Sequence, residues 1–253
     1  MEKLTIHIKK EDKCFKKGTK LSLDLVPGDV NFIVGPNGSG KTTLIHYIRA
    51  MRHDLSDINR ELHDGMSNQE DRLYSKEIGK LYEVTGLDAY SGVFVLDAID
   101  DDPTSFLNSS SAHALVMGGG LRARRLSKGQ KSWDMITRFL DKISKVTGFS
   151  PEDYRSGRKY KKHPLIIMDE TDEGLDLRMQ RKYYTLLRNI ATVWNATVLC
   201  VCHNVMAMGI AVGAESKNAL DFPVYDISTR TIKSFNEYIK EQAGVEVDIK
   251  LID

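Results

Sequence analysis

Gly35-Pro-Asn-Gly-Ser-Gly-Lys-Thr42 is the stretch that decides how this chain of 253 residues folds. It follows an apolar run, Val30-Asn-Phe-Ile-Val34, and opens a helical pattern from Lys41 to Arg52 whose Leu44, Ile45, Tyr47 and Ile48 share one face. The pattern is G-x-x-x-x-G-K-[ST], set between a strand and a helix. Glycines let such a loop curl until its backbone N–H groups converge on a phosphate, and the helix that follows adds the positive end of its dipole. Lys41 is expected to neutralise β- and γ-phosphate oxygens, and the Thr42 hydroxyl to ligate Mg²⁺. Gly35, Pro36, Asn37, Gly38, Ser39, Gly40, Lys41, Thr42 and Thr43 therefore form the candidate phosphate cradle.

Downstream, Leu165-Ile-Ile-Met-Asp169-Glu170 reads as a strand buried on both faces that ends on two acids. Open α/β sheets bind ligands at the carboxyl ends of their strands. Asp169 is expected to hold Mg²⁺, directly or through water, and Glu170, turned the other way along the pleat, to polarise an attacking water. Ala196-Thr-Val-Leu-Cys-Val-Cys202 reads as another fully buried strand. Helical patterns over Ser132–Val146 and Met179–Trp194 separate these runs.

The expected fold class is α/β. It is a P-loop NTPase (RecA-like) with a mainly parallel sheet, antiparallel N-terminal strands at Leu4–Ile8 and Leu21–Leu25, and an inserted helical subdomain. One domain is expected over 1–253, with core 1–52 and 148–253 and the helical subdomain at about 53–147. Residues 53–90 look peripheral and mostly helical. Val224–Ile232 looks like a hairpin across Ser228-Thr-Arg230, followed by a short helix and a strand-like Val245-Glu-Val-Asp-Ile249.

Hydrophobic residues make up 41% of the chain and charged residues 28%, the balance of a globular protein. Lys and Arg number 36 against 35 Asp and Glu, so the net charge of +1 gives no global pull toward nucleic acid or an anionic membrane. The longest apolar stretch, Val205–Ala214, is too short to span a bilayer and holds two glycines. Cys14, Cys200 and Cys202 lack CxxC spacing, and the last two should face one side of a strand as small buried hydrophobes. With no secretory h-region at the N-terminus, a reducing, cytoplasmic setting is expected.

Three more stretches carry a resemblance. Leu126-Ser-Lys-Gly-Gln130 resembles the LSGGQ signature of the ATP-binding-cassette superfamily, and Glu173-Gly-Leu-Asp176 its D-loop. His203, 33 residues beyond Glu170, resembles its switch histidine. The likeness runs from Leu21 to about His203 with the motifs in family order. It implies an ATP hydrolase using ATP and Mg²⁺, with Glu170, His203 and Lys41 as catalytic groups. It also implies a head-to-tail homodimer formed on ATP binding. There Ser127, Gly129 and Gln130 of one copy cap the γ-phosphate held by the other, and Asp176 joins the nucleotide contacts. Independently of the family, a hydroxyl and N–H groups ahead of an amphipathic helix make an anion site. For adenine the family uses an aromatic residue before the phosphate loop. Phe15 is the candidate, unless it is an ordinary core or surface aromatic.

The sequence departs from the family in three places. No glutamine follows Val93-Phe-Val-Leu96, so Asp97 or Asp100 takes the Mg²⁺-binding role or leaves it vacant. Lys128 replaces a signature glycine. Phe149–His163 looks inserted. Basic clusters at Arg122, Arg124 and Arg125, and at Arg155, Arg158, Lys159, Lys161 and Lys162, suit a machine acting on nucleic acid or a protein partner. No sustained heptads point to a coiled-coil arm. The alternatives are the ATPase subunit of a membrane transporter and a slow ATP-sensing module.

Overall fold

The computed structural model describes residues 2–12, 14–51, 79–97, 127–147, 163–202, 204–205, 208–209, 212 and 222–243. In chain order these form β1 (Glu2–Ile8), β2 (Lys20–Leu25), β3 (Val30–Val34), α1 (Lys41–Met51), β4 (Tyr82–Thr85), β5 (Val93–Asp97) and α2 (Lys128–Thr147). There follow β6 (Leu165–Asp169), α3 (Leu177–Val193), β7 (Thr197–Val201), β8 (Pro223–Asp226), β9 (Thr231–Ser234) and α4 (Phe235–Ala243).

Six strands make the central sheet in the order β5-β6-β7-β3-β8-β9. All neighbours are parallel except β8 and β9, the expected hairpin, which turns through 227–230. Every residue of β6 and β7 is buried, which explains their unbroken apolar runs. Alternation divides each strand between two cores. Ile166 and Met168 of β6 and Cys200 of β7 face α2, α3 and α4, meeting Ile136, Tyr183 and Phe235. Leu165 and Ile167 face the opposite layer with Leu199 and Val201, against Leu44, Ile45 and Ile48 of α1. Cys200 and Cys202 lie together in the first of these cores, and neither forms a disulfide.

A second sheet, β2-β1-β4, is antiparallel and closes the α1 side of the molecule. Its Leu4, Ile6, Ile8, Leu21, Leu23 and Leu25 alternate inward onto the same core as α1.

Two expectations need correction here. Tyr82–Thr85 falls in the segment expected to be peripheral and mostly helical, yet it zips onto β1 with Thr85 opposite Thr5 and Tyr82 opposite Ile8. The four residues alternate at period two and include three good strand formers, but so short a run is hidden among polar neighbours. β4 lies in this second sheet and β5 at the edge of the central one. The helix expected from Ser132 begins at Lys128, one turn earlier. Residues 53–78 and the strand-like Val245–Ile249 lie outside the described residues.

Candidate functional site

The carboxyl ends of β3, β6 and β7 meet at one edge of the central sheet, with β7 between the other two. The phosphate loop leaves β3 there, and α1 starts at its end, the Leu44 N–H donating to the Gly40 carbonyl at 2.9 Å. Lys41 is 7% exposed, and its ammonium is turned into the loop, donating to the Gly35 carbonyl at 2.9 Å and the Pro36 carbonyl at 3.3 Å. A buried cation resting on carbonyls it can exchange for stronger anionic acceptors is what a phosphate cradle requires. Gly40 takes φ 97°, and a Cβ there would lie 2.5 Å from the Phe15 ring, so only glycine fits. On the other flank, the Ile227 N–H donates to the Val34 carbonyl at 3.1 Å, joining the loop's root to the end of β8.

Of the two readings of Phe15, that packing favours an ordinary core aromatic over adenine stacking. Its ring is 3% exposed, wedged beneath Gly40 and tilted against Tyr47 at 6.1 Å. Asp12 fixes this pose by accepting from the Cys14 and Phe15 N–H groups, each at 2.7 Å. No face of the ring is left for a base. Phe15 supports the loop from below.

Asp169 ends β6 and is 2% exposed. It stands in register with Val201 of β7 on one side and Asp97 of β5 on the other, which brings the backbones of two acidic residues side by side. Glu170 follows at φ 50°, a left-handed conformation that costs a non-glycine residue about 1–2 kcal/mol. The turn is held by the Glu170 N–H on the Val201 carbonyl at 3.0 Å and the Glu173 N–H on the Glu170 carbonyl at 3.1 Å. Such strain sits where a fold over-determines one side chain's direction. Thr42, in the first turn of α1, and Asp169 are the hydroxyl and carboxylate that suit Mg²⁺, a hard cation that keeps several waters and phosphate oxygens in its shell. Asp97 is placed at the same strand edge by its backbone. Asp100 and His203 lie outside the described residues; β7, which leads to His203, ends between the loop and the acids.

The signature region is a reciprocal cap. The Ser127 N–H donates to Gln130 Oε1 at 2.9 Å, and the Gln130 N–H donates to Ser127 Oγ at 3.3 Å, the two bonds of a capping box. Ser127 and Gln130 are exposed, so this end of α2 faces outward. Its inner side locks onto the turn after the acids. Ser132 Oγ donates to the Glu173 carbonyl at 3.0 Å, a Cβ on Gly129 would stand 2.7 Å from the Gly174 carbonyl, and Lys128 pairs with Glu173. Asp176 is the N-cap of α3, accepting from the Met179 N–H at 2.8 Å, with its side chain at the surface.

Beneath that turn runs a buried polar network that the sequence did not single out. Thr171 Oγ1 and the Tyr183 hydroxyl are 2.6 Å apart, and the Tyr183 hydroxyl reaches Cys200 Sγ at 3.6 Å. The Tyr184 hydroxyl donates to Asp172 Oδ2 at 3.2 Å, and the same oxygen accepts the Asn204 N–H at 3.2 Å. Burial, reinforced by neighbouring thiol and carboxyl groups, pushes Tyr183, Tyr184 and Cys202 well above their ordinary pKa values, so hydroxyls and thiol stay protonated. Asp172 thus ties the turn that follows Glu170 to the residue that follows His203. In the sequence it sits within Asp169-Glu-Thr-Asp-Glu173, which reads as a solvated acidic turn.

A glycine-rich phosphate loop ahead of a helix and a strand-end carboxylate pair on a parallel sheet define a P-loop nucleoside triphosphatase. The sequence model of the ABC transporter family matches residues 19–147, just over half the chain. The chain belongs to that family, and it is an ATP-binding ATP hydrolase. A protein of Escherichia coli K12, provisionally named the phosphonates utilization ATP-binding protein PhnK, is 28% identical over 211 residues, 76% of this chain and 74% of the relative. The dipeptide transport ATP-binding protein DppF of Lactococcus lactis is 24% identical over 231 residues, 80% of this chain and 67% of its own. Among solved structures, a nucleotide-free ATP-binding cassette from an ABC transporter aligns over 100% of both chains at 18% identity and a TM-score of 0.48, a likeness that adds nothing to the assignment. No helix among the described residues is long and apolar enough to cross a membrane.

Proposed function

We propose that the chain is an ATP-driven switch. ATP·Mg²⁺ binds on the loop from Gly35 to Thr43, and two copies close head to tail around two nucleotides. Hydrolysis reopens them and moves a nucleic-acid or protein partner. The observation that carries this reading is Lys41, a buried ammonium parked on the loop's own carbonyls at the sheet edge where Asp169 and Glu170 emerge. Bound ATP displaces those carbonyls; Lys41 then neutralises β/γ oxygens while Thr42 and Asp169 hold the Mg²⁺, which supplies charge neutralisation between the phosphates. Glu170 orients and polarises the attacking water, with His203 contacting the γ-phosphate, and Asp97, whose backbone runs beside that of Asp169, stands in for the missing glutamine. The cap formed by Ser127 and Gln130 is exposed, as is Asp176, and with the Gly129 backbone it is suited to clasp the partner copy's γ-phosphate.

A second reading, the ATPase subunit of a membrane transporter, is favoured by one observation: DppF is named for dipeptide transport. Both readings share the engine and differ in what it moves.

Sedimentation of Glu170→Gln with ATP and Mg²⁺ tests the engine. The variant should lose turnover and run as a dimer, while Lys41→Ala stays monomeric and Ser127→Arg binds ATP without dimerising. Full-rate hydrolysis by a strict monomer at every concentration would sink the proposal. Co-purification of Glu170→Gln with a membrane complex would decide for the transporter reading.

A further inference from the structure

Helix α3 has two unlike faces. Inward, Tyr183 and Tyr184 reach Thr171 and Asp172, in the turn just after the strand-end acids. Outward, Arg178, Arg181 and Lys182 are exposed, and the helix's 17 residues contain no acid. With Trp133 of α2, Thr185 and Asn189, these cations line an open groove of about 520 Å³. Two cations on α2 behave differently: Arg138 pairs with Asp134 at 2.8 Å and Lys145 with Asp141 at 2.6 Å. Among the described residues no acid pairs with Arg178, Arg181 or Lys182.

We infer that this groove takes a single strand of nucleic acid. The row from Arg178 to Asn189 runs about 16 Å along the helix at 1.5 Å per residue, with Arg178, Lys182, Thr185 and Asn189 on one stripe. Arg and Lys neutralise phosphates, and Asn189 donates neutral hydrogen bonds to phosphate and sugar oxygens, while Thr185, its hydroxyl donating to the Arg181 carbonyl at 2.9 Å, lines the groove. Trp133 is half-buried against the core, so its indole is rigid and offers a surface for a base. An acidic peptide would satisfy the cations but would leave the indole without a flat partner. The binding site stands on this groove alone. Only its coupling to turnover rests on the proposed ATP switch: a strand on the outer face stiffens α3 and, through Tyr183 and Tyr184, the turn that carries Glu170.

The test is fluorescence anisotropy of a labelled oligothymidine of about 20 nucleotides against the full chain, beside its ATPase rate. The logarithm of the binding constant should fall with log salt at a slope near −2, from three phosphates at about 0.7 each. Arg178→Glu/Arg181→Glu/Lys182→Glu should weaken binding at least tenfold with basal hydrolysis and melting temperature kept. Trp133→Leu, which keeps an apolar side chain on the core, should weaken binding about fivefold with the salt slope unchanged. Absence of binding by the wild-type chain, wild-type affinity in the triple variant, or displacement by polyglutamate as effective as by unlabelled oligonucleotide would each overturn the inference. If the wild-type chain hydrolyses ATP and dimerises but ignores the oligonucleotide, the groove assignment fails and the ATP switch stands.

Discussion

Asp172 accepts the backbone N–H of Asn204 at 3.2 Å, which fastens the turn after Glu170 to the residue after His203. The carboxyl is 1% exposed and also takes the Tyr184 hydroxyl. Two elements expected to touch the same water and phosphate are therefore set against each other by one side chain, a positioning role. Asp172→Ala leaves two donors without their acceptor and should cost about 2–4 kcal/mol in chemical denaturation. Asp172→Asn keeps a carbonyl and should fold, yet lower kcat at least about tenfold through misalignment, with the KM for ATP unchanged. Tyr184→Phe removes one donor and should cost about 1 kcal/mol. A kcat for Asp172→Asn equal to wild type would reduce the residue to a structural one.

Phe15 separates loop support from base recognition. Phe15→Ala empties the space under Gly40 and should cost about 3–5 kcal/mol, whereas Phe15→Leu, which refills most of it, should cost about 1–2 kcal/mol. Neither should change the preference for ATP over GTP, read from competition at equal stability. Gly40→Ala should abolish nucleotide binding, since its Cβ meets the Phe15 ring at 2.5 Å on a backbone of φ 97°. A loss of ATP-over-GTP selectivity in Phe15→Leu would restore the stacking role.

The engine was legible wherever a local pattern carries the chemistry. The phosphate loop, the two-acid strand and the β8–β9 hairpin each announce themselves within about ten residues, by glycine spacing, apolar runs or turn residues. What escaped depends on tertiary partners. β4 is four residues long and becomes a strand only because β1 offers it an edge. Phe15 looks like any aromatic ahead of a loop until Asp12 folds it under Gly40. Asp172 is one acid among four in five residues, and nothing local tells which one is buried under Tyr184.

Lys128, which stands where the family's signature has a glycine, offers a second handle on the switch. It pairs with Glu173, and its stem lies across Gly174, where a Cβ would approach its Cγ to 2.7 Å. The pair is well exposed, at 65% and 33%, and should contribute no more than about 1 kcal/mol, fading in molar salt. If the cation also faces the partner copy's phosphate in a closed dimer, releasing it should help closure. Glu173→Gln should then tighten ATP-driven dimerisation about threefold, and do nothing in a Lys128→Met background. Equal effects of Glu173→Gln in both backgrounds, measured by sedimentation, would show that the pair carries no such coupling. Gly174→Ala should be more harmful than either, because φ 78° strains any side chain there.

The last prediction concerns acid and alkali. Asp226 ends β8 in register with Val34, next to the root of the phosphate loop, and is fully buried. Burial pushes its carboxyl up. Hydrogen bonds from Ser228, Lys233 and Thr229 outweigh that, and the pKa falls below its ordinary 3.8. A carboxyl depressed on folding adds stability that is complete above its unfolded pKa and disappears as pH falls through the folded one. Lys233 is the mirror case. Glu241 chiefly, with Asp226, outweighs burial and raises it above 10.5, so its contribution is complete below that value and is lost as pH climbs through the raised one. Melting temperature should therefore hold a plateau between about pH 4 and pH 10, as far as this cluster decides it. Asp226→Asn should lower the plateau and flatten the acid limb, and Lys233→Met should flatten the alkaline limb. Because the Ile227 N–H is anchored on Val34, ATP affinity should decline along with the acid limb in the wild type. An acid limb of unchanged slope in Asp226→Asn would place the acid sensitivity in another carboxylate.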